Sequence, residues 1–495
     1  MCDGVVKLHC LSSNRKFHFK VESVVPQVYE MSATKLVEKI RYHALSATEV
    51  AQGFIDRIRD VNPLINALQQ FDPGRILKEA READDVIKSS KKLGRLHGLP
   101  ITVKDACHVK GFKCSKGFPG FIKTSSTYDA TVVARLKDAG AIILGITNTP
   151  ELLLSYETDN LIYGRTNNPY DLRKTPGGSS GGEAALISAG GSPVGIGSDA
   201  GGSIRQPAHY SGICGHKPTQ GLVPSTGSVP VDGAGIITQV LSMGPMSRCA
   251  EDLSLLMRVM SGYDRKDPHS VPVLFGDSES VNIHKLRVAY FYDNGDTLAC
   301  DETVKVINSV IDALASEVQS IKKTYPKPLK NIYRLHWETF MLGGDRGESL
   351  KQLYKRFGQQ NISKLAQEFI VRAEGCHFSM EEFRQRFSEV EQFRFQMMLF
   401  MENYDLILSP VSATPARFHG ETHKNIADFS YTIVHNLTGW PATVVPCGLS
   451  KDGLPIGIQI ASTPWNDHVC LAVAEKVQQI FGVLPIPEIR PFSPQ

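Results

Sequence analysis

Residues 177–221 constrain this chain more than any other stretch. Thirteen of those 45 positions are glycine, against 42 glycines in all 495 residues. Glycine tolerates positive φ and lets one backbone approach another closely. Such segments are where backbone N–H groups converge on an anion. Two anions fit: a bound phosphate, or the transient oxyanion of acyl transfer.

The phosphate reading fails on spacing. Gly212-Ile213-Cys214-Gly215-His216-Lys217-Pro218 lacks the four-residue gap of a nucleotide-binding loop, and its proline blocks a following helix. Gly195-Ile196-Gly197 starts like a dinucleotide fingerprint but does not complete it. The acyl-transfer reading does better, because serines stand inside the glycine clusters: Ser179 and Ser180 between glycine pairs, and Ser203 directly after Gly201-Gly202. A serine nucleophile needs a base. His209 and His216 carry no orienting motif, and no G-x-S-x-G elbow occurs. Lys104 ends the apolar run 99–103. A lysine at the mouth of a buried strand loses hydration, which favours its neutral, proton-accepting form. Taken singly, each residue has a plain structural explanation. The serines can make turn hydrogen bonds, and Lys104 can snorkel outward or pair with Asp105. The case rests on the constellation.

Charge and cysteine content narrow the setting. Lys plus Arg is 54 and Asp plus Glu is 51, a net charge of +3, which leaves no electrostatic footprint for nucleic acid. No two of the ten cysteines form a C-x-x-C pair, so they read as reduced thiols rather than a disulfide frame or zinc site. The N-terminal residues show no apolar signal-peptide core, and no stretch of 18 apolar residues occurs. The expected location is cytoplasmic.

Periodicity predicts helices from near Ser32 and from Ser46, the latter through a capping box with Glu49 and ending at Asn62-Pro63. Further helices are expected over 75–92, where the lysines at 88–92 form a solvated end, and over 302–322. Buried strands are expected at 99–103, 140–145, 286–292, 406–408, 443–446 and 456–460. Strands alternating with helices give an α/β fold. With no linker and no internal repeat, residues 1–30 read as a lead-in and 31–490 as one catalytic domain, its core at 97–260 and a helical elaboration at about 325–400.

The segment GGSSGGEAALISAGGSPVGIGSDAGGSIRQPAHYSGICGHKPT closely resembles the signature of the amidase signature family. HGLPITVKD at 97–105, GAIILGITNTPEL at 140–152, NLTGWPATVVPCG at 436–448 and GLPIGIQI at 453–460 extend the resemblance over most of 32–480. It implies an α/β domain with a large central mixed β-sheet surrounded by α-helices, and hydrolysis of carboxylic amides through an acyl-enzyme. It assigns Ser203 as nucleophile, Ser179 as a bridging relay on a cis peptide, and Lys104 as base. It places the oxyanion among the N–H groups of Ala200, Gly201, Gly202 and Ser203. Ser180, Asp199 and Arg205 support that loop. No cofactor and no metal are implied.

Within the family, SYETDNLIYGRTNNPYDL at 155–172 and GPMSRCAEDL at 244–253 are most similar to the members that cleave fatty-acid amides. The implied partner is then a small, lipid-like amide, with Leu153 and its neighbours Leu152, Leu154 and Tyr156 walling the acyl chain. Peripheral membrane contact and a homodimer are compatible with this; nucleic acid is not. The Phe- and Met-rich helix at 383–401 could supply more of the acyl-chain wall, but a Met and aromatic stripe at helical spacing reads first as core. Three alternatives stand beside this reading. They are a glutamine-hydrolysing amidase component of a tRNA-dependent amidotransferase, a general small-amide amidase, and an inactive scaffold that only binds.

Overall fold

A strand buried on both faces needs helices on each side of its sheet, and the computed structural model has that layering. It describes residues 27–88, 92–123, 125–228 and 235–490. Most of the expected lead-in, and residues 89–91 with Lys91 of the expected solvated end, lie outside the described residues. Among these residues one mixed sheet joins eleven strands. They are Leu68–Phe71 (β1), Pro100–Lys104 (β2), Ile142–Thr147 (β3), Val194–Asp199 (β4), Cys214–Lys217 (β5), Ser242–Ser247 (β6), Arg287–Tyr290 (β7), Ser320–Lys323 (β8), Leu406–Pro410 (β9), Ala442–Leu449 (β10) and Pro455–Ala461 (β11). Their spatial order is β1-β3-β2-β4-β6-β5-β10-β11-β9-β7-β8. β2 runs parallel to β3 and β4, and β7 runs parallel to β8 and β9. The centre of the sheet is antiparallel.

Adjacent residues of one strand feed separate apolar clusters, as alternation across a pleat requires. Val445 joins Leu253 and Leu471 of the helices Ala250–Met260 and Asp467–Phe481, whereas Val444 joins Ala184 and Ala208 of the helices Gly181–Ser188 and Arg205–Ser211. The helix Gly181–Ser188 is buried at every residue. It approaches β4 so closely that a Cβ at Gly195 would lie 2.2 Å from a Glu183 carboxylate oxygen.

The expected strands at 99–103, 140–145, 286–292, 406–408, 443–446 and 456–460 all form, shifted at their ends by one to three residues. Three expectations need correction. The helix from Ser46 runs over Ala47–Ile65, past Pro63. It stops only where Asn66 turns left-handed and returns its N–H to the Asn62 carbonyl. The helix expected over 302–322 ends at Leu314. Val318 keeps the apolar spacing, but the chain beyond it is the edge strand β8, paired with β7. Strands β1, β4, β5 and β6 were not expected. Their residues are polar, Gly-rich or both, and their burial comes from neighbours rather than from apolar side chains of their own.

β2 and β4 are parallel neighbours, with Thr102 opposite Gly195 and Val103 opposite Ile196. Their carboxyl ends, Lys104 and Asp199, therefore meet at one end of the strands, the place where open α/β sheets put their ligands.

Candidate active site

Lys104 is fully buried, and its Nζ lies 2.7 Å from Ser179 Oγ, 2.9 Å from Ser198 Oγ and 3.3 Å from the Ser198 carbonyl oxygen. It neither snorkels nor pairs with its neighbour. The Asp105 carboxylate instead takes the Ser115 N–H and hydroxyl. Burial pulls the Lys104 pKa down to about 7, against the opposing charge of Asp199. Burial likewise pushes Glu183 up to about 8, even though its carboxylate accepts from the Thr102 hydroxyl at 2.6 Å. The site therefore holds a lysine that loses its proton near neutrality beside a carboxyl that keeps its own.

Ser179 follows a cis Gly178–Ser179 peptide bond and is 2% exposed. Ser203 is half-buried at the start of the turn into the helix Arg205–Ser211. The Ser180 N–H donates to the Ser203 carbonyl at 3.1 Å, which ties the two serine loops together. Both serines line one cavity. No hydrogen bond joins their hydroxyls among the described contacts. The lysine thus reaches the first serine directly, and the second stands free at the cavity wall.

Asp199 organises the loop between them. Burial alone would raise its pKa, but the Arg205 charge and hydrogen bonds overcome this and hold it far below the usual carboxylate range. Arg205 Nε and Nη2 grip both Asp199 oxygens at 2.9 Å. Its remaining donors reach the Thr432 carbonyl, Gln459 and Asn436. All of this guanidinium is buried and all of it is paired, so removing it strands a buried carboxylate. Arg205→Met is expected to lower the free energy of unfolding by about 3–5 kcal/mol, read from urea melts at pH 7; a loss below about 1 kcal/mol would contradict a bracing role.

The four amides expected at the oxyanion are not equivalent. Gly202 N–H donates to Asp199 Oδ1 at 2.7 Å, which removes it from the set. The N–H groups of Ala200, Gly201 and Ser203 have no protein partner among the described residues. Gly202 is required for a different reason than substrate access. Its φ is +115°, and a Cβ there would lie 2.3 Å from Thr432 Oγ1.

The cavity beside Ser203 measures about 360 Å³. Leu153 lines it together with Leu152, Leu154 and Tyr156, and Leu152 and Leu153 both adopt positive φ, at 52° and 64°. The opposite wall was not foreseen. Trp337, Phe340, Met341 and Phe369 come from the helical elaboration at about 325–400. Its high charge masked this short apolar cluster, whose density was the available signal. The helix Met380–Met401 contributes no lining residue and packs behind the wall, Phe387 against Phe340. His209 and His216 are buried scaffold groups. His209 faces the Thr414 carbonyl and the Gly457 N–H, and His216 faces Thr443 and Asp467. Ser198, the second hydroxyl on Lys104, also escaped notice, since nothing distinguishes it from other serines of the run.

No helix among the described residues is long and apolar enough to cross a membrane. A family model described as Amidase matches residues 49–471. The chain is 34% identical over 487 residues to Fatty-acid amide hydrolase 2 of Homo sapiens, covering 91% of this chain and 89% of that protein. It is 30% identical over 470 residues to Acylamidase of Rhodococcus erythropolis, covering 91% of this chain and 95% of that one. A solved structure of a fatty acid amide hydrolase superposes with a TM-score of 0.84 at 27% identity, over 93% of this chain and 87% of that one.

Proposed function

The chain belongs to the amidase signature family of amide hydrolases, and from that premise we propose that it cleaves long-chain N-acyl amides with a Ser203–Ser179–Lys104 triad. The observation that carries the chemistry is the 2.7 Å contact between Lys104 Nζ and Ser179 Oγ, made by a buried lysine to a serine that lines the same cavity as Ser203. Neutral Lys104 accepts the Ser179 proton as Ser179 accepts that of Ser203. Ser203 Oγ adds to the amide carbon, and the carbonyl electron pair moves onto oxygen. Amide donors fixed before the reaction stabilise that oxyanion, each contributing about 3 kcal/mol. When the intermediate collapses, the C–N bond breaks and the amine leaves with the proton returned through Ser179 from Lys104. Water then adds to the acyl ester by the same proton path, which releases the carboxylic acid and restores Ser203.

The acyl-chain assignment rests on the leucine and aromatic walls of the cavity, which offer a hydrocarbon chain an apolar lining and offer the charged α-groups of glutamine little. The name of the Homo sapiens relative agrees with it. Long-chain N-acyl ethanolamides are expected to be turned over at least about 100-fold faster, by kcat/KM, than glutamine, since burying each methylene contributes about 0.8 kcal/mol. Paired assays of fatty-acid release and ammonia release check this. A preference for glutamine would overturn the substrate assignment and leave the amide-hydrolase chemistry standing.

A further inference from the structure

His336 is fully buried and lies outside the Gly-rich signature. It ends the short helix Ile332–His336, directly before a π turn over Trp337–Met341. The π turn sends Trp337, Phe340 and Met341 into the cavity wall, whereas His336 does not line the cavity. Its Nε2 lies 2.9 Å from the Ala200 carbonyl oxygen. A carbonyl only accepts, so Nε2 carries the hydrogen. Burial holds the ring pKa down to about 4, with the Ala200 contact opposing. At neutral pH the imidazole therefore has one N–H, and Ala200 takes it. The other ring nitrogen, Nδ1, is buried without a partner among the described residues. The packing thus leaves one ring nitrogen unsatisfied while the other faces this carbonyl.

The Ala200 carbonyl shares its peptide unit with the Gly201 N–H. That unit is trans, since Gly178–Ser179 is the cis bond among the described residues. In a planar trans peptide the C=O and N–H vectors are antiparallel. Holding the carbonyl toward His336, outside the cavity, turns the Gly201 N–H to the opposite side. Ala200 and Gly201 are themselves cavity-lining residues. The neighbouring peptides are gripped in the same way. Asn436 donates to the Asp199 carbonyl at 3.3 Å, and the Gln206 N–H donates to the Gly202 carbonyl at 2.7 Å. The Gly201 carbonyl takes the Tyr156 and Thr432 hydroxyls at 2.8 and 3.0 Å. His336 is the grip on the one peptide whose N–H is both unpartnered and carried by a cavity-lining glycine.

We propose that His336 is a positioning residue for amide hydrolysis, holding the Ala200–Gly201 peptide so that the Gly201 N–H meets the oxyanion. This rests on the triad reading above. An imidazole N–H donating to the carbonyl also polarises the peptide, which strengthens its N–H as a donor. The effect belongs to the transition state, where the oxygen carries charge, and is small in the ground state.

Two amide replacements separate this role from simple packing. Glutamine at 336 places a side-chain NH₂ near the Nε2 position, whereas asparagine reaches only the Nδ1 position. His336→Asn is expected to lower kcat on a long-chain N-acyl ethanolamide by about 10–100-fold, within the cost of an impaired oxyanion donor, with KM changed less than about threefold. His336→Gln is expected to stay within about fivefold of wild type. Inhibition by a long-chain trifluoromethyl ketone, to which Ser203 Oγ adds to give a tetrahedral oxyanion, should weaken in His336→Asn by the same factor as kcat. Inhibition by the corresponding free fatty acid should not change. Equal potency of the ketone in the two variants, or equal weakening of ketone and fatty acid, overturns the positioning role. A wild-type protein that forms no adduct with the ketone overturns the triad reading itself, and the role of His336 with it.

Discussion

Ser203→Ala is expected to abolish amide turnover while leaving the fold intact. Loss of a serine nucleophile in a protein of this mechanistic type costs about 10⁶-fold in kcat, so the residual rate should approach background. The fold should not notice. Ser203 is half-buried and its hydroxyl engages no protein group among the described residues, so its removal leaves no orphaned donor or acceptor there. The backbone contact that matters, Ser180 N–H to the Ser203 carbonyl at 3.1 Å, survives the substitution. Unfolding free energy should therefore stay within about 0.5 kcal/mol of wild type. A fluorophosphonate, which phosphorylates an activated serine, should label the wild type and fail to label the variant. Turnover persisting above about 1% of wild type, in protein whose urea melt is unchanged, would remove Ser203 from the nucleophile position and force the search to Ser179 or Ser198.

How much of this site the sequence announces depends on the kind of constraint each residue obeys. Ser179, Ser203 and Lys104 stand out because their surroundings are chemically unusual: serines between glycine pairs, and a charge at the end of an apolar run. Strand β2 is legible for the same reason, its five residues being wholly buried. Strands β4 and β6 are not, because Val-Gly-Ile-Gly-Ser-Asp and Ser-Met-Gly-Pro-Met-Ser show no alternation. They are buried by the helices that pack on them. Asp199 and Arg205 are legible as supports, but their depth is not. Only the fold shows that one guanidinium reaches Thr432, Gln459 and Asn436, more than 200 positions away. The engagement of the Gly202 amide is hidden for a related reason. Spacing can say that glycines bring N–H groups together, but not that the Asp199 side chain takes one of them. His336 leaves no local trace at all, since it meets Ala200 from 136 residues along the chain.

Lys104→Met is expected to lower kcat/KM by about 10²–10⁴-fold, the usual contribution of a positioned base, and to flatten the pH dependence of what remains. The sign follows from burial. Burial takes the Lys104 pKa from an ordinary 10.5 to about 7, and only the unprotonated amine can accept the Ser179 proton. Wild-type kcat/KM should therefore rise with pH through about 7, level off above it, and fall about tenfold per unit well below it. The variant has no amine to titrate and should show no such step. The same shift acts on stability. Between pH 7 and 10.5 the unfolded lysine is protonated and the folded one is not, so the penalty for burying it is full below 7 and is relieved as pH rises. The stability of Lys104→Met relative to wild type should then decline from pH 7 to pH 9, with a slope approaching about 1.4 kcal/mol per unit. Lys217 is also buried, with its pKa lowered to about 7, but it is present in both proteins and cancels from the difference. Burial pushes Glu183 up to about 8 against the Lys104 charge, so these two titrate together and the difference reports the pair. Urea melts at pH 7, 8 and 9 give the second curve and initial rates give the first. If the rate step near pH 7 persists in the methionine variant, another group is the base. If the stability difference is flat, the folded protein keeps Lys104 charged, and the 2.7 Å contact with Ser179 is an ammonium donating to a hydroxyl and cannot take up its proton.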